Sequence, residues 1–327
     1  MYRFFLLFAM LIAATIGCGE SSSSSSSSSS TGGDDANTKK VGFSALTLKN
    51  PFFKIIADTM VEEGKKHGFK VIVMDAQDDV NSQAQHIDNF IAQKVTAIVI
   101  NPADRIAIGP AVKKANEAGI PLFTNDLQCV AEGVEIAGHV GTDNFQGGRL
   151  AGEAMIEALG EAGGEVLVLH KNSANSCVLR VEGFREVIDE HNKDRQEGKI
   201  EIVKELDADG LRDKGVSVTA DALQAHQNLA GIFAINDPSA LGAHTALKQV
   251  NRQDQVVIIG FDGQVEGKQA IKNGDFYADP IQFPVKMGVV TIENIEKYLD
   301  GETFEKVQLI PTAIYKKEDA ENDPDLE

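Results

Sequence analysis

The chain has 327 residues, 43% of them hydrophobic and 24% charged, so it is long enough for one large or two medium domains with apolar cores. Its 49 Asp and Glu outnumber its 31 Lys and Arg, and the formal net charge of −18 leaves no excess of cations to neutralise nucleic-acid phosphates or an anionic lipid surface. Three cysteines are too few for a disulfide scaffold.

The N-terminus has the pattern of a secretory signal. Arg3 precedes an apolar run over residues 4–16, which is too short to span a bilayer, and Cys18 follows a small residue. The junction resembles a bacterial lipoprotein processing site, although Thr15 stands where that family favours Leu. This predicts a signal peptide over residues 1–17 and a lipid on Cys18, with a plain signal peptide and an incidental cysteine as the alternative.

A low-complexity segment follows the cysteine. Ten consecutive serines occupy residues 21–30 and contain nothing apolar to bury. We interpret residues 18–38 as a flexible polyserine tether that holds a folded body away from a membrane. The protein is therefore expected in the periplasm or at the cell surface, anchored at Cys18.

From Lys40 onward, short β-branched runs alternate with longer amphipathic stretches, as in βαβ units. A first series of five strands is predicted over residues 41–46, 70–75, 97–101, 121–125 and 135–140. A second series is predicted over residues 165–170, 199–205, 231–235, 256–261 and 276–281. Because parallel strands need right-handed crossovers, each series should form its own sheet with helices on both faces. The predicted fold is α/β, with two similar lobes.

The first predicted helix has clear boundaries. Asn50 is a typical N-cap and Pro51 suits the first helical position. Apolar residues then recur at helical spacing, as in Phe52, Ile56 and Met60. This helix therefore follows directly on the first strand.

Polar and aromatic residues follow the predicted strands. The carboxyl ends of strands in an open α/β sheet are where ligands bind. The segments there begin at Asn50, Asp75, Asn101, Asn125, Asn236 and Phe261. Amides and carboxylates can hydrogen-bond to adjacent hydroxyls while Phe rings cover a C–H face, so the sequence favours a neutral polyhydroxylated ligand such as a sugar or polyol.

Several strings at these positions together resemble the periplasmic solute-binding proteins of sugar ABC transporters, specifically the ribose-binding type. They occur in family order between about Lys39 and about Lys317, at residues 48–53, 100–104, 119–121, 142–148, 180–184, 233–242 and 260–263. The resemblance implies a type I periplasmic binding protein fold, with two Rossmann-like lobes joined by three hinge crossings. It places the N-terminal lobe at residues 39–142 plus 283–311, the C-terminal lobe at 143–282 plus 312–318, and a solvated acidic tail at 319–327.

The resemblance also implies a set of ligand contacts. In the first lobe, Asn50, Phe52 and Phe53 match the first sugar-contacting loop, and Asp126 matches a carboxylate that binds two hydroxyls. The remaining matches lie on the side of the second lobe and at a hinge; they are Asn236, Phe261, Asp262 and Gln282.

Departures from the family pattern affect specificity, and Leu127 and Val178 are themselves predicted contact positions. Ribose binders carry arginines where this chain has Leu127 and Val178, and a serine where it has Leu46. A family aromatic aligns loosely near Gly210. Because no apolar side chain replaces a guanidinium, we expect a ligand with fewer acceptors or more apolar surface than ribose on that side.

Simpler structural roles are open for some of these residues. Asn50, Asp126 and Asp262 could serve only as caps or turn residues. Asp75, Asp104 and Asp143 are expected to be capping or hinge residues. Arg180 is expected to support the cleft or pair with an acid, without contacting ligand.

The remaining reactive side chains give no metal or catalytic signature. The seven histidines lack metal-ligand spacing, and His170, at a strand end, is expected to be structural although it could donate to ligand. Cys129 and Cys177 are placed in separate lobes by the resemblance, and we expect two free thiols, although an oxidising compartment leaves a disulfide open. No metal or other cofactor is expected.

The leading functional hypothesis is a monomeric receptor that captures a sugar or polyol and delivers it to an ABC permease. A sensor presenting a small furanose-like signal for chemotaxis or quorum signalling is the alternative on the same fold. The chain has no GxSxG, P-loop or GxGxxG motif, so an enzyme is not expected. The lac-repressor family shares the lobe architecture, but its DNA-reading segment would occupy the N-terminus, where this chain has a signal-like segment and polyserine.

Overall fold

In the computed structural model, which describes residues 38–326, strands and helices alternate as the sequence pattern predicts. The predicted signal peptide, Cys18 and the tether up to residue 37 lie outside the described residues. No helix between residues 38 and 326 is both long enough and apolar enough to cross a bilayer.

The first sheet has six parallel strands: β1 (Lys39–Ala45), β2 (Phe69–Asp75), β3 (Ala97–Ile100), β4 (Leu122–Asn125), β5 (Gly138–Thr142) and β11 (Val307–Ile310). Their spatial order is β2-β1-β3-β4-β5-β11. The helices of this first lobe are α1 (Pro51–Lys66), α2 (Val80–Ala92), α3 (Gly109–Glu117) and α9 (Pro284–Leu299). Every residue of β3 is buried, as expected for a central strand covered on both faces.

The second sheet repeats this arrangement. Its strands are β6 (Gly164–His170), β7 (Ile200–Asp207), β8 (Leu229–Ala234), β9 (Val257–Ile259), β10 (Ala278–Ile281) and β12 (Ala313–Lys316), in the order β7-β6-β8-β9-β10-β12. All pairings are parallel except that of β10 with β12. The helices of this second lobe are α4 (Asn144–Leu159), α5 (Asn175–Asn192), α6 (Arg212–Ala225), α7 (Asp237–Gln249), α8 (Val265–Asn273) and α10 (Lys317–Glu321). The predicted pair of doubly wound lobes is confirmed.

The chain crosses between the lobes at three places: from β5 to α4, from β10 to α9, and from β11 to β12. Strand order 2-1-3-4-5 has its switch point between the first and third strands, so the carboxyl ends of both sheets provide a crevice there. The three crossings set these two edges against each other.

The two final strands were not among the ten predicted from the β-branched pattern. Each has four residues, and Val307 and Leu309 of β11 are 48% and 44% exposed. A short edge strand with its apolar residues facing outward lacks the buried run on which the prediction depended.

The acidic C-terminal segment is only partly solvated. Asp319, Glu321 and Asp325 are exposed, whereas Ala320 is fully buried and Leu326 is 9% exposed. Asp323 accepts hydrogen bonds from Lys268 Nζ and Tyr315 Oη at 2.8 Å each, and together with the backbone N–H of Asp325 these donors lower the pKa of Asp323 to about 2. The expected solvated tail therefore describes the exposed acids, but not the alanine, the leucine and Asp323 that pack on the second lobe.

Helices α4 and α5 approach closely at Gly148, where a β-carbon would overlap the backbone carbonyl of Arg180. We expect Gly148→Ala to lower the free energy of unfolding by about 1–3 kcal/mol, because a packed backbone must move to admit the methyl group. Urea denaturation would measure this, with Glu153→Ala, an exposed change on the same helix, as the control. Helix propensity alone favours Ala over Gly by about 1 kcal/mol, so a stabilised Gly148→Ala would contradict the close packing.

Candidate ligand-binding site

A cavity of about 250 Å³ lies where the carboxyl-end loops of the two sheets face each other. This is slightly below the roughly 300–1,000 Å³ of pockets that hold drug-sized ligands, so the cavity suits a small molecule. Both lobes contribute to its wall. A ligand inside it would contact both lobes at once.

Eight of the ten residues predicted to contact ligand line this cavity: Asn50, Phe52, Phe53, Asp126, Leu127, Asn236, Asp262 and Gln282. Phe261 lies behind the wall, with its ring centroid 3.8 Å from the guanidinium carbon of Arg180. Val178 is half-buried and does not line the cavity. Eight of the predicted contact residues therefore lie around one cavity, and two do not.

Arg180 lines the cavity where Val178 was expected to. Its side chain is 4% exposed and donates from Nε to Asn144 Oδ1 at 2.7 Å, and from Nη1 to Ile235 O at 2.6 Å and to Asp262 Oδ1 at 3.2 Å. The prediction that Arg180 pairs with an acid is confirmed. The arginines that ribose binders carry at positions 127 and 178 are absent, and Arg180 places a different guanidinium in the cavity wall.

Asp262 is the best-connected carboxylate of the cavity wall. Besides Arg180, it accepts from Gln282 Nε2 at 2.6 Å and from Gln264 Nε2 at 3.2 Å. Its backbone has φ of 110°, a strained value for a non-glycine residue. Burial raises the pKa of Asp262, and the Arg180 guanidinium opposes that rise.

Asp126 is the second carboxylate, and it comes from the opposite lobe. It follows β4, adopts a left-handed φ of 57°, and is 3% exposed. Its Oδ1 has no hydrogen-bond partner among the described residues. Burial raises the pKa of Asp126 to about 7, against the opposing charge of Arg180. An unpartnered buried oxygen in a cavity wall is suited to accept a hydrogen bond from a ligand.

Asn50 and Asn236 are helix caps as well as cavity residues. Asn50 Oδ1 accepts from Phe52 N at 3.0 Å at the start of α1. Asn236 Oδ1 accepts from Ser239 N at 3.1 Å, and its Nδ2 donates to Gly210 O at 3.0 Å. Each of these two residues therefore both caps a helix and lines the cavity.

Gln282 connects the cavity to the crossings. Its Oε1 accepts from Thr142 Oγ1 at 2.7 Å, while its Nε2 contacts Asp262. Thr142 ends β5, and Gln282 follows β10, so this bond joins two of the three crossing segments. A change at the cavity wall thus reaches the hinge through one side chain.

The other acids singled out in the sequence have the predicted capping roles. Asp75 Oδ1 accepts from Leu48 N and Gln77 N, Asp104 Oδ1 from Ile106 N and Ala107 N, and Asp143 Oδ1 from Gln146 N. His170 lies outside the cavity wall, and its Nδ1 accepts from Lys171 N at 2.8 Å. These residues are structural.

A hydrogen-bonded rim joins the lobes beside the cavity. Arg105 N donates to Ser173 O at 2.9 Å, and Arg105 Nη1 donates to Asn175 Oδ1 at 3.2 Å. Asn175 Nδ2 in turn donates to Gln128 Oε1 at 2.8 Å. Sequence reasoning missed these residues because polar side chains in loops carry no signal of the surface that they will meet. These bonds hold the two lobes in contact beside the cavity.

A buried acid pair lies behind Asp262. Asp237 and Asp279 are 1% and 0% exposed, and Asp237 Oδ1 and both carboxyl oxygens of Asp279 have no hydrogen-bond partner among the described residues. Burial raises the pKa of Asp279 to about 7 and that of Asp237 well above its usual value. Asp237 Oδ2 also accepts from Gln264 N at 2.7 Å, so the pair supports the loop that carries Asp262.

Cys129 and Cys177 are free thiols, as predicted, and Cys177 lies in the cavity wall. Within residues 38–326, no cluster of three His, Cys, Asp or Glu side chains could hold a metal ion.

Comparisons with known proteins give a consistent result. A family model described as a periplasmic binding protein domain matches residues 41–303. The chain is 34% identical over 257 residues to the ribose import binding protein RbsB of Escherichia coli (strain K12), which covers 78% of this chain and 83% of that protein.

Solved structures agree with this. One is an ABC transporter solute-binding protein from Actinobacillus succinogenes 130z with bound D-allose, at TM-score 0.78 and 29% identity, covering 87% of this chain and 99% of the other. Another, from Agrobacterium vitis with bound D-fucose, has TM-score 0.77 and 29% identity, covering 85% and 96%.

Proposed function

The chain belongs to the periplasmic binding protein family, and we propose that it is the extracytoplasmic component of an ABC transporter that captures a monosaccharide or related polyol by closure of its two lobes. The observation that carries this proposal is that Asp126 and Asp262, from opposite lobes, line one cavity. A ligand whose hydroxyls bind both carboxylates stabilises the closed arrangement, because that bridge exists only when the lobes meet.

The chemistry of the cavity wall supports a neutral hydroxylated ligand. Asp126 and Asp262 accept from hydroxyls, Arg180 and Gln282 donate to them, and Phe52 and Phe53 cover a C–H face. We assign ligand contact to these residues together with Asn50, Leu127 and Asn236, with Phe261 holding Arg180 from behind. The relatives named above differ in the sugar their names give, so family membership alone leaves the sugar open.

The family is one of transport proteins, and the relatives support a transport role over the sensor alternative. We propose that the activity is binding and not turnover. We propose that the partner is an inner-membrane ABC permease that recognises the closed form, that the protein acts as a monomer, and that it is anchored outside the cytoplasm through a lipid on Cys18.

We also propose that the two lobes are independent rigid bodies with boundaries near residues 142, 282 and 311. The sheet membership of β5, β10, β11 and β12 supports these positions. Ligand release would then require rotation at the three crossings and breakage of the Arg105 rim.

A thermal-shift screen tests the function directly. Pentoses, hexoses, deoxy-sugars, polyols and furanose-like compounds are added singly, and a ligand that binds only the folded state raises the melting temperature. We expect at least one sugar or polyol to give a saturable shift. No response from any member would contradict the proposal that the cargo is a sugar.

Asp126→Asn gives a sharper test of the site. We expect it to weaken ligand binding by about 2 kcal/mol or more, because an amide cannot accept from two hydroxyls as a carboxylate does. The ligand-free protein should become more stable, since a buried and partly unpartnered carboxyl is removed while Asn tolerates the same left-handed backbone.

Calorimetry and thermal denaturation measure the two effects separately. Asp79→Asn, which retains an N-cap on α2 outside the cavity, is the matched control and should change neither quantity. Unchanged affinity in Asp126→Asn would remove Asp126 from the site.

A further inference from the structure

Part of the cavity wall is apolar. Leu46 and Leu127 come from the first lobe and Ala174 and Cys177 from the second; all four line the cavity and are at most 5% exposed. They belong to one contiguous apolar cluster that also contains Phe52. Burial raises the pKa of the Cys177 thiol, so this group stays neutral. We call these four residues the apolar wall.

Some polar groups of the cavity are already engaged within the protein. Asn236 Oδ1 accepts from Ser239 and its Nδ2 donates to Gly210, and Asn50 Oδ1 accepts from its own helix. Asp126 Oδ1 has no partner among the described residues, and the hydroxyls of Thr47 and Ser176 also line the cavity. Ligand hydroxyls can be satisfied next to these groups and next to Arg180 and Asp262, whereas the side chains of Leu46, Leu127 and Ala174 offer no hydrogen-bond partner.

A sugar hydroxyl that lay against the side chains of Leu46, Leu127 or Ala174 would face groups that cannot hydrogen-bond. In a closed cleft that hydroxyl would lose its hydration and find no partner, whereas a methyl or methylene group there would gain apolar contact. A hydrophobic pocket of this kind discriminates against an added hydroxyl by roughly ten- to a hundredfold.

Building on the proposed function, we propose that the solute is a deoxy-sugar whose deoxygenated carbon lies against the apolar wall. The carboxylates and Arg180 bind the hydroxyls of the opposite edge, and Phe52 and Phe53 cover the ring. The ligand class is thus narrowed from sugars in general to those lacking one hydroxyl.

Calorimetry on matched sugar pairs tests this. The probes are D-fucose with D-galactose, L-fucose with L-galactose, L-rhamnose with L-mannose, 6-deoxy-D-glucose with D-glucose, and 2-deoxy-D-ribose with D-ribose. We expect the tightest ligand to be a deoxy member that binds roughly tenfold or more tightly than its hydroxylated counterpart. If the tightest ligand is a hydroxylated member that matches or exceeds its deoxy partner, the inference is overturned and the proposed function stands. If no sugar binds, both are overturned.

Substitutions in the apolar wall test whether its residues cause the preference for a deoxy-sugar. Leu127→Gln adds a donor and an acceptor at similar length and should shift the deoxy preference toward the hydroxylated partner by roughly tenfold. Leu127→Met, of similar volume and still apolar, should keep the deoxy member ahead of its hydroxylated partner, whatever its effect on the absolute affinity. Leu46→Thr tests the same wall from another strand in case Leu127→Gln does not fold. An unchanged preference in whichever polar variants fold would overturn the role of the wall.

Discussion

Arg180→Met is expected to destabilise the protein by about 3–5 kcal/mol and to abolish ligand binding. The guanidinium is buried and neutralises Asp262, so its removal leaves an uncompensated charge inside the second lobe. The bonds to Asn144 and to the Ile235 carbonyl are lost at the same time. Urea denaturation of the ligand-free protein measures the stability, and calorimetry measures the binding.

A second change separates charge from packing. Adding Asp262→Asn to Arg180→Met removes both charges, so we expect the double variant to recover about 2 kcal/mol or more of the lost stability without regaining binding. Arg149→Met is the control, because Arg149 pairs with Glu186 and Glu190 at the surface and should matter by less than about 1 kcal/mol. Equal losses for Arg149→Met and Arg180→Met would contradict the assigned role of the buried pair.

Asp279→Asn is expected to flatten the decline of folding stability with rising pH. The raised pKa of Asp279, about 7, means that the folded protein keeps a proton that the unfolded chain has released above its usual value of 3.8. The folded state therefore binds more protons across this interval, and stability falls by roughly 1.4 kcal/mol per pH unit per retained proton until the folded pKa is passed. Asp237 is displaced in the same direction.

Unfolding free energies at pH 5, 6, 7 and 8 measure this slope. An asparagine at position 279 can donate to Asp237 without titrating. The free energy of unfolding of the variant should therefore rise relative to that of the wild type from pH 5 to pH 8. Asp126 and Asp262, with Arg180 beside Asp262, are present in both proteins. Their contributions to the pH dependence of stability therefore cancel in the comparison. Asp221→Asn, at an exposed position on α6, is the control and should leave the slope unchanged. Parallel curves for wild type and Asp279→Asn would show that the acid pair does not hold the proton.

Much of the fold was predictable because its strands are buried and parallel. Residues 97–100 and 166–169 are uninterrupted apolar or β-branched runs, and both lie in strands. Strand β9 ends at Ile259 and is shorter than predicted, although Gly260 N and Asp262 N still donate to the β10 carbonyls of Ala278 and Pro280. Periodicity reports burial, and it cannot report where backbone pairing stops.

The site was predictable as far as strand ends and a family pattern define it. Asp126 and Asp262 were identified and do line one cavity. Val178 was named as a contact position and does not line the cavity, whereas Arg180, two residues further along α5, does, because residues two apart on a helix lie on different faces. Only the packing of α5 against Phe261 and Asn144 decides which side chain faces the cavity.

The acid pair was not predictable from residue types. Asp237 reads as a residue in the first turn of a helix and Asp279 as an interruption of a β-branched strand. Their interaction depends on β10 passing beside the start of α7, a tertiary contact with no local signature. Buried titratable groups of this kind have to be found in the three-dimensional structure.

The positions of β11 and β12 bear on how the molecule assembles during synthesis. Residues 307–316 supply the last strand of both sheets, so neither lobe is complete until nearly the whole chain has left the ribosome. Until then, β5 and β10 present unpaired edges, which are templates for pairing with other chains. Such long-range closure slows folding and prolongs the exposure of those edges. Both sheets are therefore completed at the same late stage of folding, when β11 and β12 pair with β5 and β10.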